Sequence, residues 1–303
     1  LIYTPIMAFS MLGFYFLWKK NNTIPFLQKH FWAVFIFFLI NTYIIFSWDI
    51  WWYGGGFGQR AMIPSYLLLG LPLAAFLEFI KKHFLAKIGF GIILLGCVSL
   101  NLFQTWQAHM PSGGFETENM TKAYYWKIFG KTKFNPEWKI LLDTDEEYLG
   151  EIKNSKVRYS NNFEQVTDSI SFNSKYTTSD STALYLSQAV QFSPVFSFPF
   201  SADEKADWVR ASANFYCESK EWNYWQMTQF IISLEENDQV KKHKMIRVHR
   251  LLGKKGWRRI SVDIKIPKGQ SFNNIKLKFW NAGGSKEIWI DDLKIESFRS
   301  GSL

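Results

Sequence analysis

Trp208-Val-Arg-Ala-Ser-Ala-Asn-Phe-Tyr216 alternates small or apolar residues with polar ones at a period of two. That period fits a half-buried strand and not a helix. The same rhythm returns in Ser187-Gln-Ala-Val-Gln-Phe192, Trp225-Gln-Met-Thr-Gln-Phe-Ile-Ile-Ser233, Trp257-Arg-Arg-Ile-Ser-Val-Asp-Ile-Lys-Ile266, Ile275-Lys-Leu-Lys-Phe-Trp280 and Ile288-Trp-Ile290. Gly253, Gly256, Gly269 and the Gly283-Gly284 pair mark turns between several of them. Eight or more such strands with no helical pattern between them predict an all-β antiparallel sandwich from about residue 139 to 303. In the last strand, Ile288 and Ile290 fall out of step with Leu293 and Ile295. A bulge at Asp291-Asp292 would return all four to the core. Adjacent acids at a bulge can also aim one carboxylate at a cation, or simply end a strand.

Upstream the pattern is different. Four apolar runs, Ile2–Trp18, Phe31–Trp48, Met62–Ile80 and Ile88–Phe103, each approach the roughly 20 residues that cross a bilayer. They predict a bundle of four transmembrane α-helices over residues 1–104, followed by a connector over 105–138 at the outer membrane surface. Tyr124, Tyr125 and Trp126 would anchor that connector at the interface. The loop 19–30 carries three lysines, 81–87 carries three, and 49–61 carries Arg60 alone. This asymmetry puts the first and third loops in the cytoplasm and the sandwich outside. The chain opens inside an apolar run without Met, as the C-terminal fragment of a longer membrane protein would. The net charge of +9 is spread thinly and is no nucleic-acid signature. Cys97 and Cys217 lack any zinc-ligand spacing and read as small buried side chains.

Between the second and third runs lies Ser47-Trp-Asp-Ile-Trp-Trp-Tyr-Gly-Gly-Gly-Phe-Gly-Gln-Arg60. Gly54, Gly55, Gly56 and Gly58 would let backbone N–H groups approach an anion. Arg60 offers a two-pronged grip on phosphate, and the following helix points its positive end at the same place. The plainer alternative stays open. Trp51, Trp52 and Tyr53 would gather at any bilayer interface, the glycines would be a turn, and Arg60 would snorkel.

Asp49 and Arg60 bracket this loop and would pair across it, and Glu78 precedes Lys81 and Lys82 by one helical turn. No Ser-His-Asp, Cys-His or paired-carboxylate set is recognisable in the second half. His243 and His249 lie in the basic run Lys241–Arg250, which reads as a solvated strand edge. Trp222 and Trp225 suggest a sugar platform, although sandwich aromatics are mostly core.

Two resemblances bear on function. From Asn161-Asn-Phe-Glu164 to Glu287-Ile-Trp-Ile-Asp-Asp-Leu-Lys-Ile-Glu296, with Trp257-Arg-Arg-Ile-Ser-Val between, the tail resembles jelly-roll domains of the carbohydrate-binding-module type. That resemblance implies a structural calcium where opening and closing motifs meet, held by Asn162, Glu164 and Asp291 or Asp292. The usual Gly of the opening motif is missing. The apolar half, through Gly56-Phe-Gly-Gln-Arg60 followed by Pro64, looks like the C-terminal spans of GT-C-class sugar transferases of the glycosyltransferase family 39 type. It implies a hexosyltransferase of a bacterial inner membrane. Such an enzyme takes sugar from a polyprenyl-phosphate donor to a glycan acceptor on the extracytoplasmic, periplasmic side. Arg60, Gly54, Gly55, Gly56, Gly58 and Trp52 would form the lipid-phosphate site. The family's catalytic acid lies in a first outer loop upstream of this sequence, so no catalytic residue is assigned here, nor a catalytic divalent metal. The alternative is a non-enzymatic, membrane-anchored glycan-binding or scaffold protein. A transporter fits poorly, because the apolar runs hold almost no charge.

Overall fold

The structure is a computed structural model that describes residues 3–19, 28–48, 58–110, 114–116, 119–164, 171–178, 181–200, 206–219, 222–253, 256–269 and 271–301. The chain divides into two units: residues 1–120 with 128–134, and residues 121–127 with 135–303.

The first unit is helical. Its helices are α1 (Met7–Trp18), α2 (Phe31–Phe46), α3 (Ser65–Ile80) and α4 (Phe84–Ala108). The expected bundle of four membrane spans is not found. Among the described residues only α4, with 25 residues, is long and apolar enough to cross a bilayer. Helix α1 has 12 residues, and α2 and α3 have 16 each. At 1.5 Å per residue these reach ~18 and ~24 Å, short of a ~30 Å hydrocarbon core. The first three apolar runs extend past their helices into turns, so run length overstates helix length there, while Ile88–Phe103 lies wholly inside α4.

Helix α1 packs closely on α3. A Cβ on Gly13 would sit 2.0 Å from the Pro72 carbonyl oxygen, so only glycine fits there. Phe14, Leu17, Phe31, Val34, Leu69 and Ala75 form the shared core. Glu78 pairs with Lys81 at 2.6 Å, the surface pair its spacing predicts.

The second unit opens on Thr121. Helix α5 (Lys122–Ile128) begins there. Tyr124 and Tyr125 are buried and Trp126 is 60% exposed, so only the last of the three proposed interface anchors faces outward. A 3-10 turn, Pro136–Leu142, capped by Asn135, leads into the strands.

The strands are β1 (Ile152–Asn161), β2 (Phe172–Asn173), β3 (Ala183–Leu186), β4 (Phe196–Pro199), β5 (Trp208–Tyr216), β6 (Gln229–Glu236), β7 (Gln239–Arg247), β8 (Arg258–Lys265), β9 (Asn274–Trp280) and β10 (Ile288–Ser300). All pairings are antiparallel. One sheet runs β2-β3-β10-β5-β8, with β1 also on β10; the other runs β4-β9-β6-β7. This is a two-layer sandwich, as the period-two pattern predicts. Inward residues of the central strands alternate and meet in one core, where the rings of Phe215, Phe230 and Phe279 lie 4.8–5.8 Å apart.

Strand β10 organises the first sheet. Its residues 288–290 pair with β3, and Leu293 to Ser300 pair with β1 along the same edge. The register on β5 slips between Asp291 and Lys294, and Asp292 takes φ +50°. The bulge is therefore where one partner strand hands over to the next. Ile288, Ile290, Leu293 and Ile295 are all fully buried, as the broken alternation requires.

Candidate functional site

Most of the glycine loop, including Trp52, Gly54, Gly55 and Gly56 with Asp49, Trp51 and Tyr53, lies outside the described residues. Gly58 takes φ +79° beside the Tyr3 ring, a conformation suited to glycine. Arg60 is exposed and opens a 3-10 turn, Arg60–Met62. Helix α3 begins only at Ser65, after Pro64. The geometry of an anion site is thus described only at Gly58 and Arg60.

The acids of the expected calcium site are tied to Thr178, Ser181 and Thr182. Asp291 accepts hydrogen bonds from the Thr178 N–H at 3.1 Å and hydroxyl at 2.9 Å. Asp292 meets the same hydroxyl at 3.0 Å and the Asn214 amide at 2.7 Å. Glu164 accepts from the Ser181 and Thr182 N–H groups at 2.7 and 2.8 Å. These bonds hold the Glu164 carboxyl below the usual range, the Ser181 hydroxyl first among them, while burial raises Asp291. Asn162 is exposed; its neighbour Asn161 makes the turn, accepting from the Phe163 N–H at 2.8 Å. Among the described residues no group of three or more His, Cys, Asp or Glu side chains converges as a metal site would. Among the described residues, N–H and O–H donors point at the carboxylate oxygens that a calcium would use.

The basic run splits in a way the sequence did not suggest. His243 is exposed on edge strand β7, but His249 is 4% exposed. Its Nδ1 accepts the Thr228 N–H at 3.0 Å, and Trp222 covers the ring at 3.6 Å. Burial pushes the imidazole down to about 3, so it is neutral at pH 7. Trp222 is therefore packing, and Trp225, 58% exposed, is not paired with it as a platform.

Open aromatic surface occurs instead on the outer face of the four-stranded sheet. Phe230, Ile232 and Leu234 of β6 point into the core, so Gln229, Ile231 and Ser233 point out. Gln229 pairs with Trp280 on one side and Arg247 on the other. Ile231 pairs with Lys278 and Met245, and Ser233 with Lys276 and His243. Phe192, bridged to Trp280 and 58% exposed, lays its ring parallel to the indole, 1° between planes and 5.8 Å between centroids. The result is an apolar shelf of parallel, offset-stacked rings, exposed at Phe192 and half-buried at Trp280, with an amide and a guanidinium in the same cross-strand row. By contrast, Tyr216 and Tyr185 on the other sheet surround Trp289, which is 1% exposed beneath Tyr176 and Lys175.

The sequence pattern ends a strand at Trp280. The usable signal was parity: Ile275, Leu277 and Phe279 claim the core, which leaves Trp280 outside with Lys276 and Lys278.

No family model matches the chain, and no curated protein matches it. Solved structures similar to it include carbohydrate-binding modules. The CBM22-1 xylan-binding domain of Paenibacillus barcinonensis Xyn10C is 10% identical, with 49% of this chain and 99% of that one covered at a TM-score of 0.30. A family 16 carbohydrate-binding module is 9% identical over 41% of this chain and 82% of that one, at 0.29. A glycosylation-associated protein (Gap123) complex from Streptococcus agalactiae is 11% identical over 48% and 45%, also at 0.29. Likeness at this level assigns no ligand to this chain.

Proposed function

We propose that the sandwich binds glycan on the outer face of its four-stranded sheet. The observation that carries this reading is the parallel Phe192–Trp280 shelf beside Gln229 and Arg247. A pyranose presents an apolar face of C–H groups and a rim of hydroxyls. The shelf offers stacking area at low entropic cost, and the amide supplies both a donor and an acceptor for the rim. Trp280→Ala removes the indole without entering the core. In the full chain, solubilised in detergent, it should cost about 2 kcal/mol of binding, roughly thirtyfold in Kd. Affinity electrophoresis against a panel of neutral and acidic polysaccharides reads this out. Unchanged mobility shifts in Trp280→Ala would remove the shelf from the binding site.

The wider reading puts the helical unit in a membrane glycosyltransferase that uses a polyprenyl-phosphate-linked sugar. Its support is the resemblance at Gly56–Arg60. In the intact transferase, Arg60→Lys keeps the charge and loses the fork, so transfer should fall while expression holds. Full transfer by Arg60→Ala would reduce the loop to a turn and favour the alternative, a membrane-anchored glycan-binding protein.

A further inference from the structure

We infer that the glycan taken by this face is anionic, bearing carboxylate or phosphate, and that Lys278 reads the charge. The inference rests on the binding face proposed above and adds the class of ligand.

The charges of that sheet are matched almost throughout. Lys276 meets Glu235 and Asp238, each at 2.8 Å. Arg247 meets Asp143 at 2.6 Å, and Lys241 meets Glu236 at 3.0 Å. Lys278 is different. It is exposed, and among the described residues no carboxylate lies within ion-pair distance of it.

Its surroundings are also distinct. Directly across on β6 is Ile231, whose other neighbour is Met245. Phe196 of β4 pairs with Leu277, which brings exposed Val195 to the level of Lys278 on its other side. Two residues along β9, on the same face, is Trp280, ~7 Å away along the strand. Among the described residues, the one cation of the sheet with no carboxylate partner therefore stands beside apolar side chains at the border of the aromatic shelf.

This placement has a physical consequence. A lysine beside carboxylates is already neutralised and adds little to binding. A lysine flanked by isoleucine and valine keeps its field, and a ligand anion there loses little to competing internal partners. A sugar stacked on Trp280 would carry a ring substituent toward Lys278. Ammonium is a compact point charge without the planar fork of guanidinium, so it accepts carboxylate and phosphate alike. A neutral hydroxyl would gain only an ordinary hydrogen bond.

The test uses matched polysaccharides that differ only in charge, with the full chain in detergent. One pair is polygalacturonate and its methyl ester; the other is phosphomannan and its dephosphorylated form. The charged member of at least one pair should bind about fivefold more tightly, the upper end for one exposed ion pair. Which pair shows the preference tells carboxylate from phosphate. The preference should fade in 1 M salt, where the Debye length is ~3 Å. Lys278→Gln should erase it while keeping affinity for the neutral member, and Lys278→Glu should invert it. Trp280→Ala should weaken both members. Equal binding within both pairs, or a preference that survives Lys278→Gln, overturns the inference and leaves the glycan face standing. Absence of binding to every member overturns the glycan face itself, and this inference with it.

Discussion

Asp143→Ala should destabilise the sandwich by about 3–5 kcal/mol, the usual cost of removing one partner from a buried ion pair. The Asp143 side chain is 1% exposed. It accepts from the Arg247 N–H at 2.8 Å and from its guanidinium at 2.6 Å, and lies 3.2 Å from the Arg250 guanidinium. The Arg250 side chain is itself 3% exposed. Deleting the carboxylate leaves two guanidinium groups close together without the anion between them. It also strips an acceptor from the backbone of β7 at its last residue. Asp143→Asn keeps the shape and part of the hydrogen bonding, so its cost should fall between those of Ala and wild type. Urea denaturation of the full chain, followed by tryptophan fluorescence, measures both. A loss under 1 kcal/mol for Asp143→Ala would mean that water reaches this pair.

His249 should make the same unit acid-sensitive. Its folded-state value, about 3, is below the 6.5 of a free imidazole, and burial is the cause. In the unfolded chain the ring binds a proton as pH drops below 6.5; in the folded chain it does not until about 3. Stability from the neutral ring is therefore complete above 6.5 and is lost as pH falls through that window. The slope is about 1.4 kcal/mol per pH unit, so roughly 3 kcal/mol is gone by pH 4.5. His249→Asn keeps an acceptor for the Thr228 N–H and cannot titrate there. Its stability should be flatter with pH by that amount. Asp291, raised by burial, acts in the opposite sense, returning stability as it protonates. It is common to both proteins and cancels in the comparison. Parallel profiles for wild type and variant would contradict a buried neutral imidazole.

The sandwich was legible because its inward positions alternate strictly. Trp208–Tyr216 is β5 to the residue, and the break at Asp291-Asp292 announced the bulge. Strand β1 was not legible. Ile152-Lys-Asn-Ser-Lys-Val-Arg-Tyr-Ser-Asn161 is largely exposed, and backbone pairing to β10 holds it more than any apolar face does. The pattern of Ser187–Phe192 predicts a strand, yet β3 ends at Leu186 and, within that stretch, only Phe192 makes a bridge. Trp225 belongs to a 3-10 turn, and β6 starts at Gln229, because Asn223 caps that turn. The helical unit misled for another reason. Hydropathy measures how far an apolar run extends, and helix length depends on where the backbone turns. Pro64 and the 3-10 turn at Arg60–Met62 shorten α3 by three residues against the expected Met62 start. His249 escaped notice because tertiary burial, unlike charge pattern, leaves little trace in a run of Lys, Arg and His.

The most direct measurement of the glycan reading is where the ligand sits. Hydroxyl-radical footprinting of the full chain, with and without the tightest-binding polysaccharide of the panel, reports side-chain protection residue by residue. Protection should appear at Phe192 and Trp280 and leave exposed Trp225 unchanged. Protection at Trp225, with Phe192 and Trp280 oxidised equally in both samples, would contradict a binding face on the four-stranded sheet.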